Sequence, residues 1–324
     1  MSQVATTIAG AAVGPAVTGI TLGMYRQYGF NRQIGINQAF NHAGNALGAA
    51  LSGFLGWRYG LPAVLWLALA FGVIAIASVL AIPSNQIDDR AARGLKAPGN
   101  NSGEQARGVG VLLSCNPSLL LAVSLAVFNL GNGAMLSLYA LDVVNSKQGD
   151  PAGFVATTVV VAQVTMVFAS LLAVRLVSKH GAWVVMLISF AVLPVRAVLA
   201  PHLIVAWGVF PMQILDGITS GLHTVAVPGR VARILNGTGR INVGQGAILT
   251  AQGIGAALSP AIGGWIAEWR GYNAAFYVLG TFAVIAIILW TTLAPALQPM
   301  RTLAASTRVK QRRRSRQRAA RAGV

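Results

Sequence analysis

Nine stretches of the 324-residue chain are apolar enough, and long enough, to cross a bilayer as helices: 5–24, 36–57, 62–82, 116–138, 154–174, 182–200, 203–227, 241–267 and 272–295. Hydrocarbon offers no partner to a free backbone N–H or C=O, so a span must be a helix of about 20 apolar residues. Six of the nine runs contain no charged residue and no histidine. The exceptions are His42 in the second, Arg196 in the sixth, and Asp216 with His223 in the seventh. The pattern predicts an all-α integral membrane protein of about nine transmembrane helices.

Polar segments divide the spans. Residues 83–115 form a long linker rich in turn residues (Ser84, Asn85, Asp88, Asp89, Pro98, Gly99). Residues 1–82 then hold three spans, 116–295 hold six, and 296–324 form a basic tail. The gaps alternate between two sides of a membrane. One side, with the tail, carries 20 Lys and Arg, and the other carries 3 (Arg58, Lys147 and Arg270). Lysine and arginine stay on the cytoplasmic side. The expected topology places the C-terminus in the cytoplasm of a bacterial-type inner membrane, and nine spans then place the N-terminus outside. No basic flank precedes the first apolar run, so a cleavable leader is not expected.

Composition agrees with lipid rather than water. Hydrophobic residues make up 55% of the chain and charged ones 10%, against about 25% charged in a soluble domain. The net charge of +17 is concentrated in loops and tail, where Arg312, Arg313 and Arg314 are consecutive. That placement suits contact with anionic lipid, at roughly 1 kcal/mol per charge near the surface. Nucleic acid is not an expected partner, because no aromatic interleaving or folded motif accompanies the tail. With Cys115 as the single cysteine, no disulfide framework or cysteine metal site can form within the chain. No cofactor motif and no enzyme signature of the His-Glu-x-x-His, phosphate-loop or Gly-x-Ser-x-Gly kind occurs.

The chain repeats itself. Gly48-Ala49-Ala50-Leu51-Ser52 returns as Gly255-Ala256-Ala257-Leu258-Ser259, an offset of 207 that also pairs Gln38 with Gln245, Gly56 with Gly263 and Asn45 with Gln252. Seven identities fall within positions 38–56, where about two would arise by chance in so biased a composition. The repeating unit is six helices long, and the fourth to sixth spans shifted back by 207 fall before residue 1. The front unit is therefore expected to lack its first three helices.

Several segments resemble the major facilitator superfamily of secondary transporters: Arg32 to Asn45, Gln213 to Gly217, Gly237-Thr238-Gly239-Arg240, and Gln252 to Gly264. The likeness spans nearly the whole chain and corresponds to family helices four to twelve. It implies two helical halves rocking around a midplane site, a small-molecule substrate and no catalytic residues. Ser259-Pro260-Ala261-Ile262-Gly263-Gly264 also looks like the Gly-Pro-x-x-Gly-Gly motif of family antiporters, which implies efflux. That motif belongs to family helix five, whose counterpart here is Ser52 to Gly56. The family's acidic-basic loop between helices two and three is absent, and its second-half counterpart keeps Arg175, Lys179 and His180 but no acid.

Polar groups inside a bilayer are costly, so each prompts a functional reading. Asn37, Asn41 and Asn45 lie at helical spacing with Gly44, Gly48 and Ser52, flanked by Gln38 and His42. This face suits a solute-lining wall or interhelical hydrogen bonding. Gln213, Asp216 and Ser220 share a face of the seventh span, with His223 or Thr224. Asp216 is the single acid deep in any span, and desolvation suits a buried carboxylate to bind and release protons. It is the proton-coupling candidate; its bland alternative is a structural carboxylate paired with Arg196. Arg196 itself lies about 7.5 Å from its helix end at 1.5 Å per residue, so its guanidinium is expected to snorkel to the interface. Asn129 and Asn132 flank glycines that can break a helix beside a cavity. Gln163 and Gln252 complete the pathway candidates.

Overall fold

The structure, a computed structural model, describes residues 2–95, 108, 110, 115–146 and 151–293. Much of the linker, Lys147 and the basic tail lie outside the described residues. Described residues form helices α1 (Ser2–Tyr59), α2 (Leu61–Leu80), a short α3 (Asp89–Arg93), α4 (Asn116–Asn132), α5 (Met135–Asn145), α6 (Pro151–His180), α7 (Ala182–Leu199), α8 (Val209–Ile234), α9 (Ile241–Arg270) and α10 (Tyr272–Leu293). Each of the nine apolar runs overlaps a helix over most of its described length, and no strand occurs among the described residues. Among the described residues six stretches are long and apolar enough to cross a membrane, Leu61–Leu80, Asn116–Asn145, Thr158–His180, Ala182–His202, Ile241–Arg270 and Tyr272–Leu293; the expected spans 5–24, 36–57 and 203–227 are not among these six.

Helix α1 is two arms, not one rod. Arg26 leaves helical geometry with φ 49° and ψ −171°, in the left-handed region that a side chain disfavours. Asn37 Nδ2 donates to Thr21 Oγ1 at 3.1 Å, although sixteen helical residues would separate them by about 24 Å. The arms therefore fold back on one another at Arg26. The gap expected over 25–35 shrinks to that reversal, and residues 27–35 are helical. Polarity marks where the hydrocarbon ends, but a helix continues into water as long as its backbone bonds persist. The same reason extends α6 to His180, and the seventh span is likewise shifted from 203–227 to Val209–Ile234.

Helix α4 stops at Asn132 and resumes as α5 at Met135, as the Gly/Asn cluster suggests. The break is held from outside: Ala134 N–H donates to Ser259 Oγ on α9 at 2.8 Å, and Ser259 is fully buried. Close packing rests on small residues. A Cβ on Gly255 would collide with the Ala126 carbonyl of α4, and one on Gly131 with the Leu279 carbonyl of α10.

The core is apolar and centred on α4–α10, where Leu121, Leu125, Met135, Phe190, Phe276 and Trp290 are buried. Helix α2 has no buried residue and packs chiefly on α1; Leu65, Trp66 and Leu69 are exposed on it. Trp57, Trp265 and Trp269 are exposed at one end of the bundle, and Arg270 lies over the Trp269 ring at 4.3 Å. Aromatic and basic residues grouped this way suit the headgroup level of a bilayer.

Candidate functional site

Helix α1 packs against α6, α8 and α9, and several of its contacts lie at the bundle end that carries α3. There Gln27 Nε2 donates to the Ala232 carbonyl at 3.1 Å. Gly229 has no side chain and admits Asn31; Gly35 likewise admits Val174. Residues 83–95 brace the same end. Gly237 N–H donates to the Gly94 carbonyl at 2.6 Å, and Asp88 N–H to the Gly23 carbonyl at 3.3 Å. Arg26 and Asp88 pair at 2.9 Å, exposed to solvent. Farther along α1, His42 Nδ1 and Gln163 Oε1 lie 2.9 Å apart, joining α1 to α6. His42 is buried, with no partner for Nε2. Asn41 and Asn45, on either side of it in the chain, are exposed.

Between these contacts lies a cavity of about 280 Å³, lined by both arms of α1 (Gly14, Pro15, Thr18; Gln38), by α8 (His223, Thr224, Val227, Pro228) and by α9 (Gln245, Ile248, Leu249, Gln252). Its wall is built by local chemistry. Pro228 has no N–H, so the Thr224 carbonyl one turn earlier loses its helical partner. Gln245 Nε2 donates to the Pro228 carbonyl at 3.0 Å, which fixes its amide and leaves Oε1 as an acceptor. The His223 ring packs edge-on against Phe128 and Phe190, with centroids 4.9 and 5.5 Å away.

A second polar cluster lies within α4, α7 and α8. Arg196 is 2% exposed in its side chain and pairs with Asp216, itself 16% exposed; it also donates to Asn132 Oδ1 at 3.0 Å. The expected snorkelling of Arg196 is thus overturned. The carboxylate and amide on neighbouring helices offer it acceptors inside the bundle, and it turns inward to them. Gln213, one turn before Asp216, is fully buried with both amide atoms lacking a described partner.

The sequence candidates accordingly separate. Gln252 lines the cavity. His42 and Gln163 bond to each other. Asn132 and Asp216 share Arg196. Asn37 serves the α1 fold by bonding Thr21 and accepting from Gln33. Asn129 donates to the Leu125 carbonyl of its own helix at 2.8 Å. Ser220 is half-buried on α8, outside the cavity lining. Thr18, Gln38 and Gln245 were not among the candidates but line the cavity; the 207-residue repeat, which pairs Gln38 with Gln245, was the signal that marked two of them. Among the described residues no cluster of His, Cys, Asp and Glu could hold a metal ion.

Comparison with known proteins completes the picture. The family model described as Major Facilitator Superfamily matches residues 1–235 and 148–321. Uncharacterized MFS-type transporters of Mycobacterium tuberculosis strains CDC 1551 and H37Rv are each 34% identical over 294 residues, covering 90% of this chain and 70% of the relative. The chain belongs to the major facilitator superfamily, and is a multi-pass membrane protein of the secondary-transporter class rather than an enzyme.

Proposed function

We propose that the chain moves a small solute by alternating access, with α1–α2 and α4–α10 rocking about the cavity they share. The carrying observation is the lining itself, contributed by both arms of α1 on one side and by α8 and α9 on the other. Repeat-interface sites of this kind are where rocking transporters bind their substrates. The positive-inside imbalance orients the C-terminus and the α3 end toward the cytoplasm. The described conformation is then sealed by Gln27, Asn31 and residues 83–95 on the cytoplasmic side. The basic tail lies against anionic headgroups of the inner membrane.

Proton drive is assigned to Asp216. Its pairing with Arg196 makes the carboxylate a two-state element: protonated, it releases a guanidinium that only Asn132 still holds. Export is the favoured direction, from the antiporter-like sequence Ser259 to Gly264. In proteoliposomes, an imposed pH gradient should drive solute movement in the parent chain. Asp216→Asn should abolish the pH-driven component while solute exchange at equal pH persists. Unchanged pH-driven flux in that variant would remove the proton assignment.

One observation favours a second reading, in which the working unit contains helices from another chain. Helix α2 has no buried residue, and the polar Asn41 and Asn45 are exposed on α1. Flux by purified chain alone in proteoliposomes would count against it.

A further inference from the structure

The inference concerns which solute the cavity accepts, and so rests on the reading of that cavity as the solute site. Among the described residues, none of the twelve that line it is Asp, Glu, Lys or Arg. The one titratable group among the described lining residues is His223, whose Nε2 is buried without a described partner. A charged solute would leave water with no counter-charge awaiting it, which is unfavourable in a low-dielectric interior. Neutral hydrogen-bonding groups, by contrast, are plentiful. Gln38 and Gln252 make no amide hydrogen bond with the described residues, Gln245 uses Nε2 on Pro228 and has no described partner for Oε1, and Pro228, lacking an N–H, offers the Thr224 carbonyl no helical donor.

Two of these amides are related by the internal repeat. Gln38 and Gln245 are separated by the 207-residue offset, yet they line one cavity from α1 and from α9. Each half of the repeat thus presents the same amide to the same space. A solute bonded to both bridges the elements that must move relative to one another. A ligand shifts a conformational balance only through contacts that differ between the states, and a bridging solute makes such contacts.

We propose that the cavity selects an uncharged, amide- or hydroxyl-bearing small molecule, gripped from opposite walls by Gln38 and Gln245. The test uses the purified full chain in detergent and nearly isosteric triples that differ in charge and, with it, in hydrogen-bond donors and acceptors: benzamide, benzoate and benzamidinium, and isobutyramide, isobutyrate and isobutyramidinium. The readout is the ligand-induced rise in Tm, which tracks binding to the folded state. The two amides should raise Tm in a dose-dependent way, and their charged counterparts should bind at least roughly tenfold more weakly. Gln38→Leu and Gln245→Leu should each weaken amide binding by roughly tenfold, the consequence of unmatched polar groups. Gln38→Glu, nearly isosteric, should shift preference toward the amidinium members and so does not depend on the leucine variants folding.

The proposal is overturned if a charged member binds the parent chain as well as its amide, if no member of either triple shifts Tm, or if Gln38→Glu leaves the preference unchanged. Binding is read without flux, so the two readings fail separately. Selective amide binding in a chain that moves nothing would sink the transport reading and leave this one standing.

Discussion

Removing either member of the Arg196–Asp216 pair is expected to destabilise the protein far more than removing both. Arg196 is 2% exposed and Asp216 16%, so water screens neither charge well. Truncating one partner of a buried pair costs about 3–5 kcal/mol, because the survivor stays desolvated without its counter-charge. Arg196→Leu leaves the carboxylate alone; Asp216→Leu leaves a guanidinium held only by Asn132 at 3.0 Å. The double replacement removes both charges, and apolar substitution of a buried pair is often close to neutral. Allowing about 1–2 kcal/mol for the stranded Asn132 amide and imperfect packing, the double variant should be more stable than either single one. The coupling energy from the cycle should then be at least about 4 kcal/mol, since two single losses of about 3 kcal/mol or more exceed a double loss of about 2 kcal/mol by that much, above the usual range for contacting residues. Reversible unfolding in mixed micelles, followed by tryptophan fluorescence, gives all four stabilities. Single variants costing less than about 1 kcal/mol, as solvent-exposed pairs do, or a double variant equal to the sum of the singles, would refute the reasoning. Arg196 would then belong at the interface after all.

Two further substitutions probe the braces around the cavity. Ser259→Ala should cost about 1–3 kcal/mol in the same unfolding assay, since it orphans the buried Ala134 N–H at the break between α4 and α5; a loss below 0.5 kcal/mol, on the order of a surface change, would mean the break holds without it. Asp88 accepts from Arg90 N–H and Ala91 N–H at 3.0 Å each, capping α3, and pairs with exposed Arg26. Asp88→Ala should speed amide exchange over 87–95, whereas Asp88→Asn should preserve protection, because an amide oxygen can cap as well as a carboxylate. Equal loss in both would transfer the effect to the ion pair.

What the residue pattern made legible follows from what lipid enforces. Every apolar run overlaps a helix among the described residues, because hydrocarbon leaves the backbone no alternative, and the Gly131–Gly133 cluster marks the discontinuity between α4 and α5. Helix ends were less legible. The Arg26 reversal and the extension of α8 to Ile234 depend on backbone geometry beyond the bilayer, where hydropathy carries no signal. Arg196 was misplaced for a related reason. Depth along a helix says how far a guanidinium would have to reach for water, and nothing about the acceptors that Asn132 and Asp216 present from other helices.

The polar residues sort by a rule that a single helix cannot display. Asn37 and Asn129 look like substrate contacts by depth, yet each spends its hydrogen bonds within its own element or on the adjoining arm. Gln38 only flanks the most polar face of α1, but it lines the cavity. Its partner by repeat, Gln245, does the same from α9. Packing between helices decides which face of each becomes a wall, and an offset shared by two segments reports on that packing before any contact is known. In this bundle the repeat match points to residues lining one cavity, Gln38 and Gln245, that depth along a helix does not single out. The pair Asn45 and Gln252, matched by the same offset, extends the rule. Gln252 already lines the cavity, and Asn45, exposed on the open side of α1, is the residue that closure of the bundle should bring against the solute. If Asn45→Leu left solute exchange unaltered while Gln252→Leu impaired it, repeat matching would have no predictive force beyond Gln38 and Gln245.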